Sequence, residues 1–214
     1  MILESEFVDL NTPTGIMRTY VHRPKSISKF PAILFYSEIF QQTGPIERAA
    51  KILASHGFVV LVPEVFHELN EIGTVLNYDD AGRDKGNADK SEKDVQSYDT
   101  DNQAMIDWIN TQKWSNGHIG AMGFCIGGHL AFRAALNPSV KATACFYATD
   151  LHTNTIPNKP GQHSMERLLD IQGELLMIWG KQDNHVPTEN RINIHQQLLD
   201  LNGQYARLWQ IQVN

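Results

Sequence analysis

Two short runs of mixed apolar and polar residues, 5–10 and 16–22, flank the turn sequence Asn11-Thr12-Pro13-Thr14-Gly15. This pattern predicts an opening β-hairpin. Residues 31–36 (PAILFY) and 58–62 (FVVLV) are continuous apolar runs, as expected of strands buried on both faces. Between them Ile46, Ala49, Ala50, Leu53 and Ala54 recur at helical spacing, and His56-Gly57 closes that helix. Residues 64–93 are polar, with Gly73, Gly82 and Gly86 among many Asp and Lys residues, and read as a long excursion outside the core. Helix resumes over 94–112, with Met105, Ile106, Trp108 and Ile109 inward. Then follow a strand at 119–124, a helix at 130–136, a strand at 142–147, a loop rich in Asn, Pro and His, and a strand at 175–179. A helix over 189–201, capped by Asn202-Gly203, leads to a last strand at 205–213. Alternating strands and helices imply a mostly parallel sheet with helices on both faces, whose ligands lie beyond the carboxyl ends of the strands.

The chain of 214 residues fits one domain, 1–214, with a well-filled core. A net charge of −6 argues against nucleic acid as a partner, since like charges repel the phosphate backbone. No apolar run approaches the roughly 20 residues of a membrane span. The first ten residues hold three acidic and no basic side chains, unlike a signal peptide. With only Cys125 and Cys145 there is no disulfide framework, and the default location is cytoplasmic. Oligomeric state is not legible.

The strongest chemical signal is Gly123-Phe124-Cys125-Ile126-Gly127-Gly128, between a strand and a helix. G-x-C-x-G-G in that setting describes a nucleophile elbow, where a strained turn lifts one side chain above the sheet and small neighbours avoid collision. The following helix N-terminus favours a thiolate and a developing oxyanion, and lowers the expected thiol pKa below the free value of about 8.5. The backbone N–H of Ile126 is the natural oxyanion donor. The competing reading is a buried structural cysteine beside a glycine-rich helix start. Cys145, inside an apolar run, reads as core.

GFCIGGHLAF (123–132) closely resembles the elbow of the dienelactone hydrolase (carboxymethylenebutenolidase) family of the α/β-hydrolase superfamily. Residues 31–66 are similar to that family's first core strand, glutamate-bearing loop, helix, strand and Pro-acidic segment. Residues 175–187 (LLMIWGKQDNHVP) are similar to its strand and acid loop, in the same chain order. The resemblance runs over about 14–213. It implies an α/β-hydrolase fold and a cysteine-dependent hydrolase of an ester or lactone, with a small-molecule substrate and no cofactor. It also implies that Glu38 contacts the resting cysteine and helps form the thiolate, and that the Ile39 N–H is the second oxyanion donor. Asp183, on the loop after its strand, stands in the order expected of a triad acid, although a turn or capping Asp fits the same position.

No histidine of the chain fits the triad well. His185 is too near Asp183 in sequence, and His195 lies within a helix. The family's histidine follows the last strand and would fall just beyond residue 214, together with a final helix. The chain is therefore expected to lack both, to leave an apolar sheet face open, and to be impaired in turnover as it stands. His56, His118 and His129 read as element-end residues, His152 and His163 as loop residues. His67 follows the Pro-acidic segment and is the other histidine that could approach the site. No H-x-x-x-H or C-x-x-C pair occurs, so no metal is expected. Arg83 and Arg133 are the candidate cations for a substrate carboxylate, but neither is assigned. The alternatives are an α/β-hydrolase-like binding protein without efficient catalysis, and a thiol redox protein; against the latter, no second cysteine is placed to resolve a disulfide.

Overall fold

In a computed structural model, which describes residues 1–157, 160–201 and 208–213, eight strands form one sheet. The strands are β1 (Leu3–Thr12), β2 (Gly15–Pro24), β3 (Phe30–Tyr36), β4 (Val59–Pro63), β5 (Ser115–Phe124), β6 (Val140–Phe146), β7 (Glu174–Gly180) and β8 (Leu208–Val213). Their spatial order is β1-β2-β4-β3-β5-β6-β7-β8. The β1–β2 hairpin is antiparallel and β2 joins β4 antiparallel, whereas every pairing from β4 through β8 is parallel. The helices are α1 (Gly44–Ser55), α2 (Asp80–Glu92), α3 (Val95–Thr111), α4 (Ile126–Ala135) and α5 (Thr188–Leu201), with a 3₁₀ turn at Met165–Asp170.

The opening hairpin and the buried strands match the hydrophobic pattern. β4 is buried at every position, the mark of a strand covered on both sides. Alternate residues of β3 feed two cores. Ala32, Leu34 and Tyr36 join Met105 and Ile106 of α3, Ala131 of α4 and Ile194 of α5. Phe35, with Val60 and Val62 of β4, meets Ile46, Ala50 and Ala54 of α1. Past α1, an apolar groove of about 460 Å³ lies over the early parts of β5, β6 and β7, lined by residues such as Ile33, Phe58, Met122, Ala144 and Leu176. Cys125 is not among the residues that line this groove.

Several expectations need correction. The polar excursion contains a helix, α2, opened by Asp79, whose side chain accepts from the Gly82 N–H at 2.8 Å. α4 begins at Ile126 rather than Leu130, so Gly127 and Gly128 are helical and Cys125 is its N-cap. β5 and β6 each begin earlier than expected, which puts His118 within β5 rather than at its start. The capping pair Asn202-Gly203 and residues 205–207 of the last strand lie outside the described residues. Among those described, no helix is long and apolar enough to cross a membrane.

Candidate active site

Cys125 sits between β5 and α4 with φ 59° and ψ −123°. That is a strained conformation for a residue with a Cβ, and positions of this kind persist only where neighbours enforce them. Here the enforcement is steric and hydrogen-bonded. A Cβ on Gly127 would collide with the carbonyl oxygens of Tyr36 and Ser37, and one on Gly123 would collide with the Gly127 backbone. Only glycines allow the end of β3 to lie this close to the start of α4. The Cys125 N–H donates to Phe146 O at 3.1 Å, and Cys125 O accepts from the Thr149 N–H at 3.3 Å.

The same packing brings the Ser37–Ile39 loop beside the elbow. Glu38 is half-buried, and its Oε2 accepts from the Tyr78 hydroxyl at 2.9 Å. Tyr78 packs its ring on Phe40 at 4.5 Å and shares a hydrogen bond with Thr43 Oγ1 at 2.8 Å. Ile39 is buried against Gly86 of α2, where a Cβ would strike the Ile39 carbonyl. The excursion thus forms one wall of the site.

The thiol itself departs from expectation. Burial pushes the Cys125 pKa up rather than down; the Ile126 N–H and Thr149 hydroxyl oppose that, the Glu38 charge reinforces it, and Lys90 opposes it. The helix terminus does act on the sulfur, through the Ile126 N–H, but desolvation outweighs it. Cys145 is fully buried on β6, and its thiol is pushed far higher by desolvation alone. Iodoacetamide at neutral pH is therefore expected to modify Cys125 well before Cys145, since Cys125 is part-exposed and has donors facing its sulfur. Peptide mapping that finds Cys145 modified first would reverse these roles.

Tyr147, with φ 39°, follows β6 and stacks on Phe124 at 5.9 Å. Desolvation pushes its pKa up to about 12, helped by the charges of Glu38, Cys125, Tyr78 and Asp183. One exposed phenol thus lies within electrostatic reach of all three side chains singled out by the sequence. Asp183, half-buried on the loop after β7, accepts from the His185 N–H at 2.8 Å, the geometry of a turn Asp. Its charge also reaches His152, whose pKa is lowered by desolvation against the pull of Asp150 and Asp183.

Other candidates resolve differently. Arg83 is half-exposed and paired with Asp80 and Asp84. Arg133 is fully buried and holds Asp99 through two nitrogens. Neither is bonded to Cys125 or Glu38. His67 donates from Nε2 to Asp101 at 3.1 Å, inside a buried cluster with Glu68. Ligand atoms of His67, Glu68 and Asp101 lie within 4.8 Å of one another, but the Lys93 ammonium stands among them, 2.7 Å from Glu68 and 2.6 Å from Asp101. Burial alone would raise the Glu68 pKa, yet Lys93 and Ser97 hold it below the usual value. The cation of this cluster is the protein's own. The sequence reading missed Tyr78, Lys90, Tyr147 and Thr149, because their places depend on loops whose course no local pattern specifies.

A parallel sheet with an elbow cysteine at the carboxyl end of a central strand defines an α/β-hydrolase. Comparison with known proteins carries this further. Residues 17–207 match the model of the dienelactone hydrolase family. A Saccharomyces cerevisiae protein named "Putative carboxymethylenebutenolidase" is 38% identical over 210 residues, spanning 94% of this chain and 76% of that protein. The "Carboxymethylenebutenolidase" of Pseudomonas putida is 25% identical over 166 residues, 75% of this chain and 64% of its own length. The crystal structure of a "Putative Dienelactone Hydrolase" from Klebsiella pneumoniae superposes with a TM-score of 0.83 at 19% identity, covering 100% of this chain and 86% of that one. The chain belongs to the dienelactone hydrolase family and is a hydrolase of ester or lactone bonds.

Proposed function

We propose that this protein hydrolyses a small ester or lactone through a covalent thioester on Cys125. Sγ attacks the carbonyl carbon, the N–H groups of Ile39 and Ile126 receive the oxyanion, and the C–O bond to the leaving group breaks. Water then cleaves the thioester, releasing the acid and restoring the thiol. Glu38 takes the thiol proton during attack and passes it to the departing alkoxide oxygen, and Asp183 takes the part of the triad acid. The observation that supports this reading best is the elbow, where a strained, part-exposed cysteine has the Ile126 N–H directed at its sulfur. Stopped-flow mixing with an activated ester is expected to give a burst of one leaving group per Cys125 thiol, followed by slower turnover. A linear trace without a burst, with no acyl adduct on Cys125 by mass spectrometry, would remove the covalent step.

Glu38→Gln separates proton acceptor from charge. Gln still accepts from Tyr78, so the fold is expected to hold. The Glu38 charge raises the thiol pKa, so Gln is expected to shift the pH midpoint of alkylation downward. Losing the acceptor is expected to slow the acylation burst about ten-fold, a modest general-base effect because a thiol ionises partly unaided. An unchanged burst rate would take Glu38 out of the mechanism.

A further inference from the structure

The segment after β6 is tied to the elbow more closely than a covering loop requires. Besides the two backbone hydrogen bonds at Cys125, the Tyr147 N–H donates to Ile178 O of β7 at 2.7 Å. Gly128 of α4 admits the segment, since a Cβ there would lie 2.7 Å from Phe146 O. The segment then sets Thr149 Oγ1 at 4.0 Å from Cys125 Sγ, within the reach of a hydrogen bond to sulfur.

What fixes Thr149 is a buried histidine. His129, in the first turn of α4, lies with Nδ1 3.0 Å from Thr149 O and Nε2 2.6 Å from Ser164 Oγ. Burial pushes its pKa down to about 3, so the ring is neutral and carries one N–H. A carbonyl can only accept, which puts that hydrogen on Nδ1 and makes Nε2 an acceptor for the Ser164 hydroxyl. Ser164 in turn meets Arg133 Nη1 at 3.4 Å, while Arg133 Nη1 also donates to Gln162 O at 2.6 Å. The line of support from Arg133 through Ser164 and His129 to Thr149 ends at the nucleophile.

We infer that Thr149 stabilises the Cys125 thiolate by donating its hydroxyl to Sγ, and that His129 is a positioning residue that holds Thr149 there. This rests on the reading of Cys125 as nucleophile. In the resting thiol the S–H donates to Oγ1, and the hydroxyl hydrogen serves the Asp150 carboxylate, which receives a bond from Thr149. When the thiol has lost its proton, the hydroxyl turns to the sulfur. Asp150 remains held by Lys90, at 3.0 and 3.2 Å, and by Thr155 at 2.5 Å. The charged groups acting on the sulfur are Glu38, from the loop after β3, and Lys90, from α2.

The test is the pH dependence of iodoacetamide modification of Cys125 in the parent, Thr149→Val and Thr149→Ser. Valine keeps the shape and removes the donor. Its midpoint is expected to rise by about one unit, which lowers the thiolate fraction about ten-fold at neutral pH. The less acidic thiolate is intrinsically more nucleophilic, so the rate at neutral pH is expected to fall only about three-fold. Serine restores the hydroxyl and is expected to return the parental midpoint. Circular dichroism confirms folding, and Thr149→Ala replaces valine should valine not fold. Equal midpoints in parent, serine and the donor-free variant would overturn the role of Thr149 while leaving Cys125 as nucleophile. A parent in which Cys125 reacts no faster than Cys145 would overturn both.

Discussion

Cys125→Gly is expected to unfold at a higher temperature than the parent while losing the acylation burst altogether. The two effects share one cause. The backbone at this position, φ 59° and ψ −123°, suits glycine and strains any residue with a Cβ. Relief of that strain is worth about 1–3 kcal/mol, partly offset by the greater freedom of glycine in the unfolded chain. A net gain of about 1 kcal/mol raises Tm by about 2–4 °C in a chain of this size. Steady-state turnover of the activated ester is expected to fall on the order of 10³-fold or more, because oxyanion donors alone retain only a small part of the catalysis. Differential scanning calorimetry and burst kinetics check the two halves. A lower Tm would refute stored strain at the elbow. Persistent burst kinetics would refute Cys125 as the attacking group.

Gly127→Ala is expected to do the reverse and damage both stability and activity. Its methyl group would run into the carbonyl oxygens of Tyr36 and Ser37, which are backbone atoms and cannot turn aside. Tyr36 is paired with Gly123 in the sheet, and its hydroxyl is bonded to Asn102 of α3, so β3 cannot retreat without breaking the centre of the fold. The remaining response is to push α4 away from the Ser37–Ile39 loop. Overpacking of this kind costs about 3 kcal/mol, which corresponds to a Tm lower by about 10 °C. The displacement separates Glu38 and Ile39 from Cys125, so the burst rate of the folded fraction is expected to fall more than ten-fold. A variant with parental Tm and burst would show that the close approach of β3 and α4 is not required.

The elbow was legible because its determinants are contiguous: strand, G-x-C-x-G-G and helix lie within a few residues of one another. The hairpin and the buried strands were legible for the same reason. α2 was not, because Gly82 and Gly86 lower helix propensity and no apolar stripe marks it. Those glycines serve close contacts instead, Gly86 with Ile39 and Gly82 with Asn77. The direction of the thiol pKa was misread because a helix terminus can be seen in a sequence, whereas the depth of the sulfur cannot. Arg133 looked available from its charge, yet it is buried and paired with the half-buried Asp99 in the support behind His129. Thr149 could not be singled out, since nothing local distinguishes it from the other threonines of its loop.

The strand order sets the sequence in which the elbow around Cys125 is assembled. β5 to β8 lie side by side in the order of synthesis, and the opening hairpin is also local. Only β3 is shared between an early partner, β4, and a late one, β5. The carbonyls that press on Gly127 come from the end of β3, whereas the thiol comes from the end of β5. Closing that long loop is the slow kind of step in folding. A nascent chain that has made α4 but not yet seated β3 therefore lacks the carbonyls of Tyr36 and Ser37 that press on the elbow. The geometry of the elbow is completed by chain closure rather than by local structure alone.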